Sequence, residues 1–446
     1  MSTTVDTQSQ TRGAPPWFAS LERATWTLPA LGFASIVFQA AGAAAQINDA
    51  VRVNIALILA QGVVFLLAVW AVRRGAQIGL GSLLVVAALL RATILFLPPY
   101  HSSDIYRYVW DGRVQGAGIN PYLYIPDAPA LAGLRDASIW PNINRADYAP
   151  TIYPPAAQMI FFLITRITAG VIGMKTGWLA FECVTAWAVV RLLDHCGLPR
   201  ARLLIYAWSP LVVWEVAGSG HLDAAMATLF MLAVLARGCE RSGLAGVALG
   251  LSVLVKFFPI VALPALWRRW DWKLPAACAA VIAAGYALYL GAGLKVFGFL
   301  SGYSREEGLR SGDGFWFAHI FQLLTGLTLP PLLYVAIVEL LLASLALVVV
   351  RAQNRAMPVS GALLLAATGM IALSPTHPWY FVWLTPLLCF APSVPVLWIT
   401  VVSPILYWPN PYSVHWNVDL LYGGFCVLAV ARLAVRCYAR DSGDLL

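Results

Sequence analysis

Residues 77–98 read QIGLGSLLVVAALLRATILFLP, and residues 101–113 read HSSDIYRYVWDGR. The first run is apolar, helix-length and without strand-like alternation, long enough to cross the hydrocarbon core of a bilayer. The second is a polar island of acids, arginines and tyrosines at the end of that run. Such groups are costly at a membrane edge unless they serve a function. The island opens a loop that returns to apolar sequence at Tyr153-Pro154-Pro155, and this loop is the expected catalytic centre of a membrane enzyme.

The rest of the chain has the same character. Of 446 residues, 60% are hydrophobic and only 11% charged, with a mean hydropathy of +0.74. Soluble globular domains carry about 25% charged residues. The fold class expected is therefore an all-α, polytopic transmembrane helical bundle, since lipid demands a backbone satisfied within each segment. Apolar segments fall near 27–46, 52–72, 77–98, 154–171, 177–195, 202–218, 221–237, 243–266, 274–294, 331–350, 357–374, 379–391, 394–408 and 418–436. That is about 13–14 crossings of roughly 20 residues each. Residues 1–26 read as a cytoplasmic tail, 27–436 as the membrane domain and 437–446 as a second tail. The net charge of +8 requires no nucleic acid, because cytoplasmic loops of membrane proteins carry Lys and Arg. The seven cysteines are scattered without a CxxC pair and read as small apolar residues.

Orientation follows from basic clusters. Arg73-Arg74, Arg268-Arg269 with Lys273, Arg351 with Arg355, and Arg432, Arg436 and Arg440 belong on the cytoplasmic side. Strict alternation from a cytoplasmic N-terminus satisfies all four. It places large loops 99–153 and 295–330 outside. It also puts Arg191/Arg200/Arg202 and Arg237/Arg241 outside, against the rule. A re-entrant pair in 243–266, broken at Lys256-Phe257-Phe258-Pro259, would repair the second conflict, but simple alternation is the expectation.

On a helix beginning at Asp104, Arg107, Tyr108 and Asp111 share a face. Asp104 suits a general base, with cations nearby for an anionic leaving group. Lys256 sits in mid-segment, where a cation is expected to face a cavity, a phosphate or an ion-pair partner such as Glu215. Gly218-Ser219-Gly220-His221-Leu222-Asp223 is a tight polar junction, open either to a site role or to a helix-capping role for Asp223. In Ser374-Pro375-Thr376-His377-Pro378-Trp379-Tyr380, His377 suits a phosphate or sugar, and Trp379 or Tyr380 a stacked sugar ring. Arg305 and Arg310 are further phosphate candidates in the second outer loop. His101 and Asp104 lie three apart, but no third or fourth metal ligand is evident.

These motifs resemble the GT-C glycosyltransferases. They are Ser-Asp-Ile-Tyr-Arg-Tyr at 103–108, Gly-x-Asn-Pro-Tyr at 118–122, Tyr-Pro-Pro at 153–155, Lys-x-x-Pro at 256–259 and His-Pro-Trp-Tyr at 377–380. The chain is most similar to bacterial polyprenyl-phosphate-mannose-dependent mannosyltransferases, over roughly 78–390. The resemblance implies an inverting transfer of a hexose, mannose favoured, from a polyprenyl-phosphate sugar donor to a glycan or glycolipid acceptor. It places the enzyme in the cytoplasmic membrane with its site on the extracytoplasmic side. It implies Asp104 as base, with Arg107, Lys256 and His377 toward the donor phosphate. Tyr106, Tyr108, Asp111, Tyr153, His221, Asp223, Trp379 and Tyr380 then belong to substrate binding. No cofactor and no metal are expected, because the donor already carries an activated leaving group. A lipid-linked oligosaccharide or O-antigen ligase, and a transporter or flippase, remain as rivals.

Overall fold

The computed structural model of the chain describes residues 27–352, 358–409 and 416–441, with side chains to Val435. Arg355 and the expected tail 1–26 lie outside what is described, as do residues 442–446 and the side chains of Arg436 and Arg440. The C-terminal tail was expected from 437, but the helix Trp416–Asp441 runs on through that point. The described residues form helices and turns, with no strand. Five helices, among them Thr27–Ile47, Val51–Arg73 and Val171–His195, are long and apolar enough to cross a membrane. Five shorter apolar helices, of 10–17 residues, accompany them among the described residues. The protein is a polytopic helical membrane protein.

The helices run between two ends of different chemistry. At one end, Gln46 donates to the Pro98 carbonyl at 2.7 Å and Tyr100 to Asp49 at 2.9 Å. The turn after the first helix is thereby fastened to the mouth of the polar loop. Lys175 reaches the Leu97 carbonyl at the same end, at 2.7 Å. One level deeper, Arg91 pairs with Glu182 at 2.8 Å, so the passes containing 80–97 and 171–195 are antiparallel. At the opposite end, Arg200 pairs with Asp194, Arg202 donates to the Phe390 carbonyl, and Arg237 donates to the Leu266 carbonyl. Arg268 pairs there with Glu240, and Arg432 donates to Ser393.

Two passes differ from expectation. The stretch 154–171 was expected to cross. The helix Pro155–Ile167 instead begins beside Leu254, whose carbonyl receives the Ala156 and Ala157 amides. It ends next to Val171 at the end where Lys175 binds Leu97. Both of its termini thus lie at the polar-loop end. It packs against the loop helix Asp104–Gly116. Gly112 makes that packing possible: a Cβ there would stand 2.5 Å from the Phe161 carbonyl oxygen. The stretch 243–266, expected to be one crossing, is two legs. The helix Ser242–Val253 stops before Lys256, and a tight turn of helix resumes at Phe258–Ala262 with Pro259 near its start. Proline fits the first turn of a helix and cannot continue the one before it. The first leg rises parallel to Lys273–Ala287, with Gly246 against the Leu274 carbonyl and Gly250 against that of Cys278. Small residues spaced by four permit this close approach.

The pass lost at 154–171 is regained at Lys256. Arg191, Arg200, Arg202, Arg237 and Arg241 now share the end of Arg268, Arg269 and Arg351. The two loops that conflicted with strict alternation no longer conflict. The segment expected as 274–294 ends its rise at Ala287, then bends by 111° into Leu290–Glu306, which lies across the polar-loop end.

Candidate active site

A cavity of about 340 Å³ opens at the polar-loop end. Its walls come from five separate stretches of chain: 101–107, 144–154, 256–258, 299–303 and 377–380. Asp104 stands on its wall as the first residue of the loop helix, where a carboxylate is favoured by the positive end of the helix dipole. Asn144 donates its Nδ2 to Asp104 Oδ1 at 2.8 Å. Oδ2 has no hydrogen-bond partner among the described residues.

One turn later, Arg107 is 4% exposed and also lines the cavity. Its Nε donates to Asp111 Oδ1 at 2.9 Å and its Nη1 to the Ala149 carbonyl at 3.0 Å. The remaining nitrogen, Nη2, is buried with no partner among the described residues. A buried cationic donor left unpaired is costly, and an anion entering the cavity would satisfy it. Asp111 is held in turn by the Gln158 amide at 3.0 Å.

Lys256 reaches the cavity from the break in its segment. Its Nζ lies 2.9 and 2.7 Å from the two oxygens of Asp223 and 4.8 Å from the centre of the Tyr380 ring. The partner of Lys256 is thus Asp223, and not Glu215, which accepts from Tyr407 at 2.9 Å. Tyr380 shares a 2.5 Å hydrogen bond with Tyr303 of the second loop. His377 also lines the cavity, with Glu307 3.7 Å from its Nε2. Burial pushes the Glu307 carboxyl up, but bonds from His377, Tyr303 and Thr376 outweigh it and hold the group below its ordinary range.

The structure sorts the expected substrate-binding residues. Tyr153, Trp379 and Tyr380 are on the wall with Asp104, Arg107, Lys256 and His377. Five others are not. Tyr108 is wholly buried between Phe161, Trp178 and Tyr153, as a core aromatic. Tyr106 is half-buried and packed on the core, off the wall. Asp111 and Asp223 stand behind Arg107 and Lys256 as their counter-ions. His221 lies beneath Trp379, stacked on it at 4.0 Å. His377 stacks on Trp379 at 4.3 Å. Two near-parallel rings at that distance need both indole faces, so Trp379 offers a sugar its edge rather than a stacking face. Arg305 and Arg310 are also off the wall, and Arg310 donates to Ser301 instead.

Two wall residues, Asn144 and Arg145, stand out only in the structure. Asn144 carries no pattern that would mark it. Arg145 has a left-handed backbone, φ 55°, and its Nε meets Glu306 at 2.6 Å. Strained backbone of this kind concentrates at functional sites. Tyr148 donates to the same Glu306 at 2.9 Å. The opposite charges of the two loops were the available signal. His101 donates its Nε2 to Asn54 Oδ1 at 2.7 Å and stacks on Tyr407 at 4.3 Å. Burial lowers its imidazole to about 4. Among the described residues, no three His, Cys, Asp or Glu side chains converge as a metal site.

Fold and site together define a multi-pass helical membrane protein with an acid, three cations and aromatic walls around one end-on cavity. Residues 23–271, more than half of the chain, match the family described as "Alpha-(1->6)-mannopyranosyltransferase, N-terminal domain", and the chain belongs to that family. It is similar to "Alpha-(1->6)-mannopyranosyltransferase A" of Mycobacterium tuberculosis, at 31% identity over 185 residues, 41% of this chain and 35% of the relative. The protein of the same name in Corynebacterium glutamicum is 28% identical over 181 residues, 38% of this chain and 35% of the relative. "GPI mannosyltransferase 1" of Gibberella zeae is 25% identical over 144 residues, 31% of this chain and 34% of the relative. The chain thus spans about a third of the length of the curated relatives it matches. No solved structure matches it.

Proposed function

We propose that the protein is an inverting mannosyltransferase that takes its sugar from a polyprenyl-phosphate donor and delivers it to a glycan or glycolipid hydroxyl. The observation that carries this reading is the meeting of Asp104 with the unpartnered Nη2 of buried Arg107 in one cavity. Family membership and the printed names of the relatives favour mannose. The cavity wall supports a lipid donor: Ile152, Phe257, Phe258, Phe299 and Leu300 give it an apolar flank beside the cations.

In this reading Asp104 Oδ2 takes the proton of the acceptor hydroxyl as that oxygen attacks the anomeric carbon. The bond from that carbon to the donor phosphate oxygen breaks, and the electron pair leaves with the phosphate. Arg107 Nη2 and Lys256 receive the charge that develops there, and His377 assists. Asn144 holds the base by its other oxygen. The enzyme sits in the cytoplasmic membrane with the cavity outside, because the basic clusters gather at the opposite end. No nucleotide, cofactor or metal enters this scheme.

The test is transfer by purified protein from synthetic polyprenyl-phosphate mannose to envelope glycolipid acceptors, with product mass analysis. Gain of one hexose supports the proposal. Transfer of a whole glycan favours a ligase. No transfer from any lipid-linked sugar, together with substrate movement in vesicles, would favour a transporter.

A further inference from the structure

We propose that the end opposite the active site holds a binding site for the phosphate of an anionic phospholipid. A second cavity, of about 790 Å³, opens there between the turn 237–243 and the turn 268–273. Five cations line it, Arg237, Arg241, Arg268, Arg269 and Lys273, against the two acids Glu240 and Asp271. Both acids are engaged. Arg268 holds Glu240 at 3.2 Å, and the Ser242 hydroxyl donates to Asp271. Arg241, Arg269 and Lys273 make no salt bridge among the described residues, and all three are exposed.

Arg237 separates this cluster from an ordinary cytoplasmic charge cluster. It is 3% exposed, and its Nε donates to the Leu266 carbonyl at 2.7 Å. Its Nη2 is buried with no partner among the described residues. In the neighbouring turn 194–202 both arginines are already occupied. Arg200 forks onto Asp194 at 2.7 and 2.9 Å, and Arg202 reaches the Phe390 carbonyl. A guanidinium presents paired donors matched to phosphate oxygens. A phosphate among these side chains would give Arg237 the acceptor it lacks and neutralise the excess charge.

The source of the phosphate is argued from the walls. Trp270 is 71% exposed and Trp272 61%, flanking the basic turn. Trp270 has a left-handed backbone, φ 69°, within that turn. Exposed indoles beside a transmembrane helix end belong at the level of lipid headgroups. Basic pockets between helix ends on the cytoplasmic side are suited to acidic headgroups. The site is independent of the transfer reaction proposed above.

The test is native mass spectrometry of the full chain in detergent, titrated with phosphatidylglycerol, phosphatidylcholine or inorganic phosphate. Phosphatidylglycerol is expected to bind in preference to phosphatidylcholine. The triple variant Arg241→Gln, Arg269→Gln, Lys273→Gln removes exposed charges only, and gel filtration checks that it stays folded. It is expected to lose about tenfold or more of the affinity for phosphatidylglycerol. The double variant Arg73→Gln, Arg74→Gln, at another basic turn, is expected to bind as the unaltered chain does. Equal binding of the two lipids, an unaffected triple variant, or equal losses in the two variants would each overturn the proposal. Displacement of the lipid by millimolar inorganic phosphate assigns the site to a free anion and overturns the lipid assignment.

Discussion

Asp104 and Arg107 are one helical turn apart, and each is positioned by a neighbouring side chain. Asn144 holds one oxygen of the acid, and Asp111 holds one nitrogen of the arginine. Asp104→Asn keeps the shape and the Asn144 contact but loses the base. Transfer is expected to fall by about 100- to 10,000-fold with folding intact, and near-normal turnover would remove Asp104 from the chemistry. Asp111→Asn acts through Arg107. Loss of its charge-assisted bond is expected to raise the donor KM by roughly tenfold while the pH profile stays unchanged. A shifted pH profile in that variant would give Asp111 a proton-transfer role instead. His101 titrates at the rim. Burial lowers it from 6.5 to about 4, so between those values the unfolded chain binds more protons than the folded one. Stability is then fully present above the unfolded value and is lost as pH falls toward the folded one. The thermal midpoint in detergent should drop from pH 7 to pH 4, and His101→Gln should flatten part of that slope. An unchanged slope would mean that His101 stays protonated alike in both states.

At the scale of elements, the break at Lys256 brings a cation to the cavity from the middle of an apolar run. Lys-Phe-Phe-Pro was visible in the sequence as a place where a helix cannot continue, and so was the need of Lys256 for a counter-ion. Which acid serves was not visible. Asp223 and Glu215 lie eight residues apart in sequence, and only the packed structure gives Asp223 to Lys256 and Glu215 to Tyr407. Asp223→Asn leaves the partly buried Lys256 ammonium without its partner. Removing one member of a buried pair costs about 3–5 kcal/mol, so a sharp fall in thermal stability and yield is expected. Lys256→Met in the same background should restore much of it, without restoring activity. Failure of that rescue would mean that Asp223 supports the fold through something other than Lys256. The loop helix and its partner are a second case. The amphipathic pattern after Asp104 marked Asp104–Gly116 in the sequence. The helix Pro155–Ile167 carries as apolar a sequence as a crossing helix, and composition cannot tell a helix lying at the interface from one that spans. Its place is fixed by contacts between distant residues, such as the Leu254 carbonyl with the Ala156 amide at 3.1 Å.

At the scale of the whole molecule, nearly every apolar run is helical at its expected place, and five of the described helices are long enough to cross a bilayer, because a hydrocarbon solvent leaves the backbone few alternatives. What the pattern left open was parity. The pattern implies a pass at 154–171 that the chain does not make and a single pass at 243–266 where the chain makes two legs, and the two differences cancel beyond Lys273 while inverting everything between. That interval contains Arg191, Arg200, Arg202, Arg237 and Arg241, the arginines that conflicted with the charge rule. The structure gathers them at the end of Arg268, which pairs with Glu240 at 3.2 Å. This yields a sharp prediction. In a chain whose native cysteines are replaced, single reporters Ser102→Cys and Ser311→Cys should react with a membrane-impermeant thiol reagent in intact cells. Reporters Arg200→Cys and Arg241→Cys should react only after lysis. Strict alternation predicts all four to label in intact cells, so the second pair separates the two arrangements. Labelling of Arg241→Cys from outside would break the common basic end, and with it the argument that the cavity faces away from the cytoplasm.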